Sequence, residues 1–288
     1  MANVEPAVGG YHGGVAPAIS VEEVTRQALE IARDVGVEEL DALVGDAPHL
    51  RIDDLHAGYG QMEILHGLSL RVGHKQALCL IGPNGAGKST VLHSIFGFTN
   101  IYSGAISTER DGARIDVTGL SSNEKLRSGG IAYILQDKSV FPGMTVEENL
   151  WMGGYLMDRT VEAKRAAEKV FDRYPRLAAR RRHPARVLSG GERRLLEISR
   201  ALVMDPQILL VDEPSIGLEP RFIDAVFEVL RDLQHKEGKT IVIVEQNAKK
   251  GLEFADIGYV LVSGKLALAG RADDLLANPD VSRLFLGG

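Results

Sequence analysis

Apolar residues recur along this chain with two different periods, and their alternation predicts the fold class. From about Leu50 onward, short runs of Val, Ile and Leu take turns with stretches whose apolar positions fall three and four residues apart. The first kind reads as strands, the second as amphipathic helices. Strands are predicted at 50–55, 63–71, 76–81, 130–135, 207–211, 240–244 and 258–262, and helices at 88–97, 161–173, 191–203, 221–236 and 247–254. Strands alternating with helices imply an α/β fold with parallel pairing. The stretches 77–81 and 208–211 are continuously apolar, as a central strand covered on both faces requires. A helix-rich insert from about 137 to 188 separates the strand ending near Leu135 from the helix opening at Gly190. The pattern does not repeat along the chain, which points to one unit rather than a tandem pair.

Residues 1–48 read differently. The first 19 hold Pro6, Gly9, Gly10, Gly13, Gly14 and Pro17 with few large apolar side chains, so disorder is expected there. Ser20 followed by Glu23 fits a capping box. Val21, Val24, Ala28, Ile31 and Val35 then mark one face, predicting an amphipathic helix from about 20 to 35. Two readings stand for this extension: an appendage packed on its own domain, or a docking element for a partner.

Composition narrows the picture little further. At 44% hydrophobic and 25% charged residues, the chain has a soluble globular profile. No apolar run approaches the ~18–20 residues needed to span a bilayer, so any membrane role would come through partner chains. The start has no basic region ahead of an apolar stretch, its first basic residue being Arg26, and does not read as a signal peptide. The single cysteine, Cys79, lies in an apolar run and is expected to pack as a small hydrophobe. These features fit the cytosol. A net charge of −6 gives no general attraction to nucleic acid.

Chemistry enters at three places. Gly82-Pro83-Asn84-Gly85-Ala86-Gly87-Lys88-Ser89-Thr90 matches G-x-x-x-x-G-K-[ST] and stands between a predicted strand and a predicted helix. Its glycines let backbone N–H groups close around phosphate oxygens, and the helix start adds orphan donors. Lys88 is placed to neutralise β and γ phosphates and the Ser89 hydroxyl to ligate Mg²⁺. A plain glycine-rich turn is the competing explanation, and the flanking strand and helix argue against it. The second place is the strand 207–211, which ends in Asp212 and Glu213. Carboxylates at the carboxyl end of a parallel strand stand where α/β sheets bind ligands, although paired acids also cap helices. The third is Leu188-Ser189-Gly190-Gly191-Glu192, in isolation a Ser cap with glycines.

Order and spacing join them. Ser189 precedes Asp212 by 212 − 189 = 23 residues, and phosphate loop, Gln136, LSGGE and VDEP follow one another in that order. Over about residues 49–288 this resembles the ATP-binding cassette family of transporter ATPases. The resemblance implies a P-loop ATPase with a RecA-like α/β core, an antiparallel β subdomain and an α-helical subdomain at about 137–188. It implies a head-to-tail dimer in which Ser189, Gly190, Gly191 and Glu192 of one subunit face ATP on the other, a donor-rich helix start being suited to the γ-phosphate. By the same resemblance Tyr59 stacks on adenine, and Gln136 contacts the nucleotide, Mg²⁺ and the transmembrane partner. Asp212 then holds Mg²⁺, Glu213 polarises the attacking water, and Gln246 occupies the switch position. Implied partners are a second cassette subunit, integral membrane permease subunits and, indirectly, an extracytoplasmic solute-binding protein, with no nucleic acid. The implied location is the cytoplasmic face of the cell membrane.

Glu219 stands where the family has aspartate in the dimer-contact loop, and Gln246 where it has the switch histidine. PSIGLEP, VEQN, VFPGMTVEENL and the ending from Val281 to Gly287 are similar to the ATPases of branched-chain amino-acid importers, with urea and short-chain amide importers built alike. Gln246 has a simpler explanation, that it caps the helix predicted from Asn247. The basic run Arg180, Arg181, Arg182, His183 with Arg186 reads either as a solvated surface or as a contact with a membrane partner. A cassette ATPase not coupled to transport remains the alternative function. A small-molecule kinase would leave LSGGE unexplained.

Overall fold

Two sheets carry the core of the molecule, and the sequence enters the antiparallel one first. The computed structural model describes residues 21–31, 35–45, 47–136 and 139–286; the expected disorder of 1–19 and the Ser20 cap lie outside them. Strands β1 (Pro48–Tyr59) and β2 (Met62–Gly73) pair as a hairpin, and β4 (Asn100–Arg110) and β5 (Ala113–Asp116) extend it in the order β2-β1-β4-β5. The second sheet holds β3 (Ala77–Ile81), β6 (Ile131–Ile134), β7 (Ile208–Asp212), β8 (Thr240–Val244) and β9 (Ile257–Val262), all parallel, in the order β9-β3-β8-β7-β6. An outer strand, β10 (Lys265–Arg271), runs antiparallel to β9.

Every residue of β3, β7, β8 and β9 is buried, because both faces of this sheet are covered. Successive side chains go to opposite faces. Cys79, Ile81, Leu209, Val211, Ile241 and Ile243 share a core with Ile198, Phe227, Leu230 and Leu252 from the helices α8 (Gly190–Leu202), α9 (Pro220–His235) and α10 (Ala248–Phe254). Their neighbours Leu78, Leu80, Leu210, Val242 and Val244 pack with Leu50, Ile52 and Leu55 of the antiparallel sheet and with Val91, Leu92 and Ile95 of α3 (Lys88–Phe96). Cys79 is fully buried, and burial pushes its thiol pKa far above the ordinary range.

After α4 (Ser122–Arg127), helices α5 (Val146–Gly153), α6 (Thr160–Arg173) and α7 (Pro175–Ala178) form the insert and lead into α8. They enclose their own small core of Val146, Leu150, Val170, Phe171, Leu177 and Leu196. Arg181 braces this insert: it pairs with Glu147 at 2.6 Å and lies over the Phe171 ring. The basic run is therefore not a uniform solvated face; Arg180, Arg182, His183 and Arg186 are its exposed members. Helices α11 (Ala272–Ala277) and α12 (Pro279–Phe285) close the described chain.

At the other end lie α1 (Val21–Ile31) and α2 (Val37–Val44). Of the predicted 20–35, Val21–Ile31 is helical and residues 20 and 32–34 lie outside the described residues; Val35 is not helical and packs against the core beneath the antiparallel sheet. Ala28 and Leu40 are fully buried. Gln27 accepts a hydrogen bond from Arg283 of α12 at 2.7 Å, and Asp41 pairs with the buried Arg71 of β2 at 2.9 Å. Both helices thus pack on their own chain.

One buried histidine gives the fold a pH dependence. His49, at the start of β1 and 7% exposed, stacks on His74 at 4.0 Å and contacts the Thr240 hydroxyl at 2.7 Å. Burial, then the charge of His74, lowers its pKa to about 4 against the opposing pull of Glu109. An unfolded histidine titrates near 6.5, so between about pH 6.5 and 4 the unfolded chain takes up a proton that the fold refuses. Stability is then lost as pH falls through that window, by at most about 3 kcal/mol from this residue. Denaturant unfolding at pH 7 and 4.5 should show a larger loss for wild type than for His49→Gln; equal losses would remove His49 from the account.

Candidate functional site

Strand β3 delivers the chain into a loop, residues 82–87, that only glycine can trace at its first position. Gly82 has φ +147°, and a Cβ there would come within 2.1 Å of the Leu261 carbonyl oxygen. Gly85 and Gly87 also take left-handed φ values, 80° and 97°. Helix α3 then starts at Lys88 with no side-chain cap and no acidic residue in its first turn. Its first N–H groups are left for an anion. Asn84 and Gly85 are exposed, while Ala86, Lys88 and Thr90 are buried. The Lys88 ammonium donates to the carbonyls of Gly82 (2.9 Å) and Pro83 (3.0 Å). Burial lowers its pKa, opposed by the charges of Glu213 and Asp212.

Of those two acids, Asp212 ends β7 and Glu213 follows it; β7 lies one strand away from β3 across β8. Asp212, 5% exposed, accepts from the Ser89 hydroxyl at 3.2 Å and from the Tyr133 hydroxyl of β6 at 2.7 Å. Glu213 sits at φ +41°, unusual for a side chain other than glycine. Its N–H donates to the Val244 carbonyl at 2.8 Å, which ties the ends of β7 and β8 together. Gln136, just after β6, donates its amide to the Glu213 carboxylate at 3.0 Å. Burial, then Asp212 and Glu245, raises the Glu213 pKa against the pull of Lys88.

Glu245 escaped the sequence reading as a candidate. It is 2% exposed, follows β8 as Glu213 follows β7, accepts from the Ser215 hydroxyl and the Asn247 N–H, and leaves Oε2 buried without a partner. Its position after a wholly apolar strand was the available signal. Tyr133 was visible only as a strand residue. Gln246 is exposed, and the simpler explanation for it fails: α10 begins at Ala248 and is capped by Asn247, whose side chain accepts from the Lys250 N–H at 3.0 Å.

Tyr59 lies at the end of β1, 43% exposed, with its hydroxyl against His93 of α3. Ser189, Gly190, Gly191 and Glu192 form a separate group. Ser189 caps α8 in a reciprocal capping box with Glu192, and Glu192 also pairs with Arg180 at 3.5 Å. A Cβ on Gly191 would run into the Phe222 ring at 2.5 Å. Glu219 is exposed ahead of α9 and pairs with Arg221 at 3.0 Å.

An uncapped helix start behind a glycine loop, a buried ammonium and carboxylates on adjoining strand ends suit a phosphate chain and its hydrolysis. Known proteins agree. Residues 65–216 match the family described as ABC transporter. The high-affinity branched-chain amino acid transport ATP-binding protein BraG of Pseudomonas aeruginosa is 40% identical over 83% of this chain and 100% of its own length. A probable branched-chain amino acid transport ATP-binding protein, LivF, of Archaeoglobus fulgidus is 37% identical over 83% and 98%. Among solved structures, an ATP-binding cassette of an ABC transporter in its ADP conformation superposes with a TM-score of 0.72 at 28% identity, covering 84% of this chain and all of that one. On that family match and on the identity to these relatives, the chain belongs to the ABC transporter family, as an ATP-hydrolysing nucleotide-binding subunit.

Proposed function

We propose that this subunit powers import of branched-chain amino acids or of related small amides such as urea. It would do so as one of two cassettes beneath membrane-embedded permease subunits, at the cytoplasmic face of the membrane, with an extracytoplasmic solute-binding protein delivering the solute. The solute class rests on the similarity to BraG and LivF along most of the chain. The lipopolysaccharide export ATP-binding protein LptB of Acidithiobacillus ferridurans is also similar, at 31% identity, which ranks export second. No described helix is long and apolar enough to cross a membrane, which fits permeation by partner chains. Residues 49–288 would form the cassette, with its helical subdomain at about 137–188, and 1–48 an extension upon it.

The site roles are carried by one observation: Lys88, Ser89, Gln136, Asp212 and Glu213, far apart in sequence, meet through hydrogen bonds and charge around the 82–87 loop. In this reading the loop from Gly82 to Gly87 with Thr90 wraps the phosphates, Lys88 neutralises them, and Tyr59 receives the adenine. The oxygen donors of Ser89, Asp212 and Gln136 suit Mg²⁺, a hard cation that keeps waters and substrate phosphates among its ligands. When bound, Mg²⁺ supplies charge neutralisation at the β and γ phosphates. Glu213 orients the attacking water. Ser189, Gly190, Gly191 and Glu192 of the second cassette complete the site.

Gln246 would contribute a fixed amide donor to the γ-phosphate without a titrating group. Gln246→Ala should slow single-turnover hydrolysis by about 10²-fold with ATP affinity kept, and with little loss of stability, since Asn247 makes the cap. Gln246→His should retain much of the rate and gain a dependence on pH between about 6 and 7. Wild-type rates in Gln246→Ala would end this role.

The transport reading is tested by purifying the tagged chain from native membranes and reconstituting what comes with it. Integral membrane subunits should co-purify, and leucine, isoleucine, valine or urea with the binding protein should stimulate ATP hydrolysis. Stimulation by an unrelated solute alone would overturn the solute class. Absence of any membrane subunit would overturn the coupling.

A further inference from the structure

Arg194 is a charged side chain in the interior that the site described above does not use. It lies on α8, five residues (194 − 189) past Ser189, and is 4% exposed. Its guanidinium pairs with Glu197 one turn further on, at 2.8 Å. The rest of the fork goes to backbone. Nη1 donates to the Leu135 carbonyl at 2.7 Å, and Nη2 to the Asp212 carbonyl at 3.3 Å.

Each of those carbonyls belongs to the peptide immediately before a site residue. Leu135 precedes Gln136, and Asp212 precedes Glu213. The two side chains that follow are bonded to each other at 3.0 Å. One guanidinium on the helix that begins at Ser189 thus grips both strand ends on which the Gln136–Glu213 pair stands.

Apolar packing would hold two strands together more cheaply. Burying an ion pair carries a desolvation penalty that hydrophobic side chains of similar volume avoid. Here the arrangement is not even fully satisfied, since Nε of Arg194 is buried without a partner. What an arginine adds is a rigid planar fork that serves a carboxylate and two carbonyls at once, which neither lysine nor an apolar chain does.

We propose that Arg194 is a positioning residue for hydrolysis, setting the geometry of the Gln136–Glu213 pair from the helix whose N-terminus is Ser189. It does not touch the nucleotide. A displacement of α8 is passed through its two backbone bonds to the peptides that aim Gln136 and Glu213. The inference rests on the hydrolytic role proposed for Glu213.

The test compares wild type with Arg194→Lys, which keeps the charge beside Glu197 but loses the fork, and with the double variant Arg194→Met/Glu197→Met, which leaves no unpaired charge buried. Phe227→Leu, a core change on α9, serves as a stability control. Glu213→Gln is run in parallel. For each, kcat, KM, equilibrium ATP affinity and melting temperature are measured. Both Arg194 variants should lose about 10²-fold in kcat, the scale of a small misplacement of reacting groups. ATP affinity should stay within about threefold, since no ligand contact is lost. If the double variant does not fold, Arg194→Lys decides by the same criteria. Folded variants with near wild-type kcat would overturn the proposal. So would a kcat loss matched by Phe227→Leu at equal melting temperature. If Glu213→Gln itself hydrolyses ATP normally, the role of Glu213 fails first, whatever the Arg194 variants do.

Discussion

Lys88→Ala should lose ATP hydrolysis by about 10³-fold and bind ATP at least tenfold more weakly, a larger effect than any other single change at the loop. The reason lies in where the ammonium sits. It is 9% exposed and bonded to the Gly82 and Pro83 carbonyls, on the inner side of the loop proposed to wrap the phosphates. Burial lowers its pKa, yet Glu213 and Asp212 hold it toward the charged form. The residue is thus a cation kept partly desolvated, where its attraction for a phosphate is strongest. Alanine removes that charge and leaves two carbonyls aimed at the nucleotide. Isothermal titration with ATP and a phosphate-release assay on the purified variant measure both losses. Turnover close to wild type would take the loop out of the active site.

Glu213→Gln should separate binding from chemistry. The exchange keeps side-chain shape at the strained φ of +41° and an oxygen to accept from Gln136. It removes the base, for which about 10²–10⁴ in rate is usual. ATP should bind normally, hydrolysis should nearly cease, and an ATP-bound dimer should accumulate in light scattering. The raised pKa adds two checks. A carboxyl whose folded pKa exceeds its unfolded value binds its proton more tightly in the fold, so ionising it as pH rises costs stability. At neutral pH, Glu213→Gln should therefore melt higher than wild type, not lower. In wild type, hydrolysis should fall as pH drops through that raised pKa, because the base becomes protonated. Unchanged hydrolysis in the variant would assign the base elsewhere; a lowered melting temperature would show that Glu213 is not held against its neighbours' charge.

The parallel strands were legible because burial on both faces writes them as unbroken apolar runs, as in residues 77–81 and 241–244. Strands β4, β5 and β10 were not. In β4, Ser103, Ser107 and Glu109 alternate with Tyr102, Ile106 and Thr108, a pattern too polar to separate from loop when only one face is covered. Helix α2 has eight residues and no side-chain cap, so it is specified by where Leu40 packs rather than by its own period. At the site, the loop, the acid pair and LSGGE are local strings and could be read directly. Tyr133, Arg194 and Glu245 matter through partners 79, 59 and 30 residues away, and no local string records that. Gln246 shows the opposite case, where a local rule offered a cap and the neighbouring asparagine took it.

Cys79 has a practical meaning that follows from its burial. As the only cysteine of the sequence, fully enclosed in β3 with α10 packed so closely that a Cβ on Gly251 would lie 2.6 Å from its sulfur, it meets a thiol reagent only when the central sheet opens. Its alkylation rate is therefore a clock for that opening. Because β3 runs straight into the phosphate loop, any nucleotide that binds only the closed sheet slows the clock by the factor 1 + [ATP]/Kd. The chain carries, in one native side chain, a gauge of its own occupancy that needs no engineered cysteine.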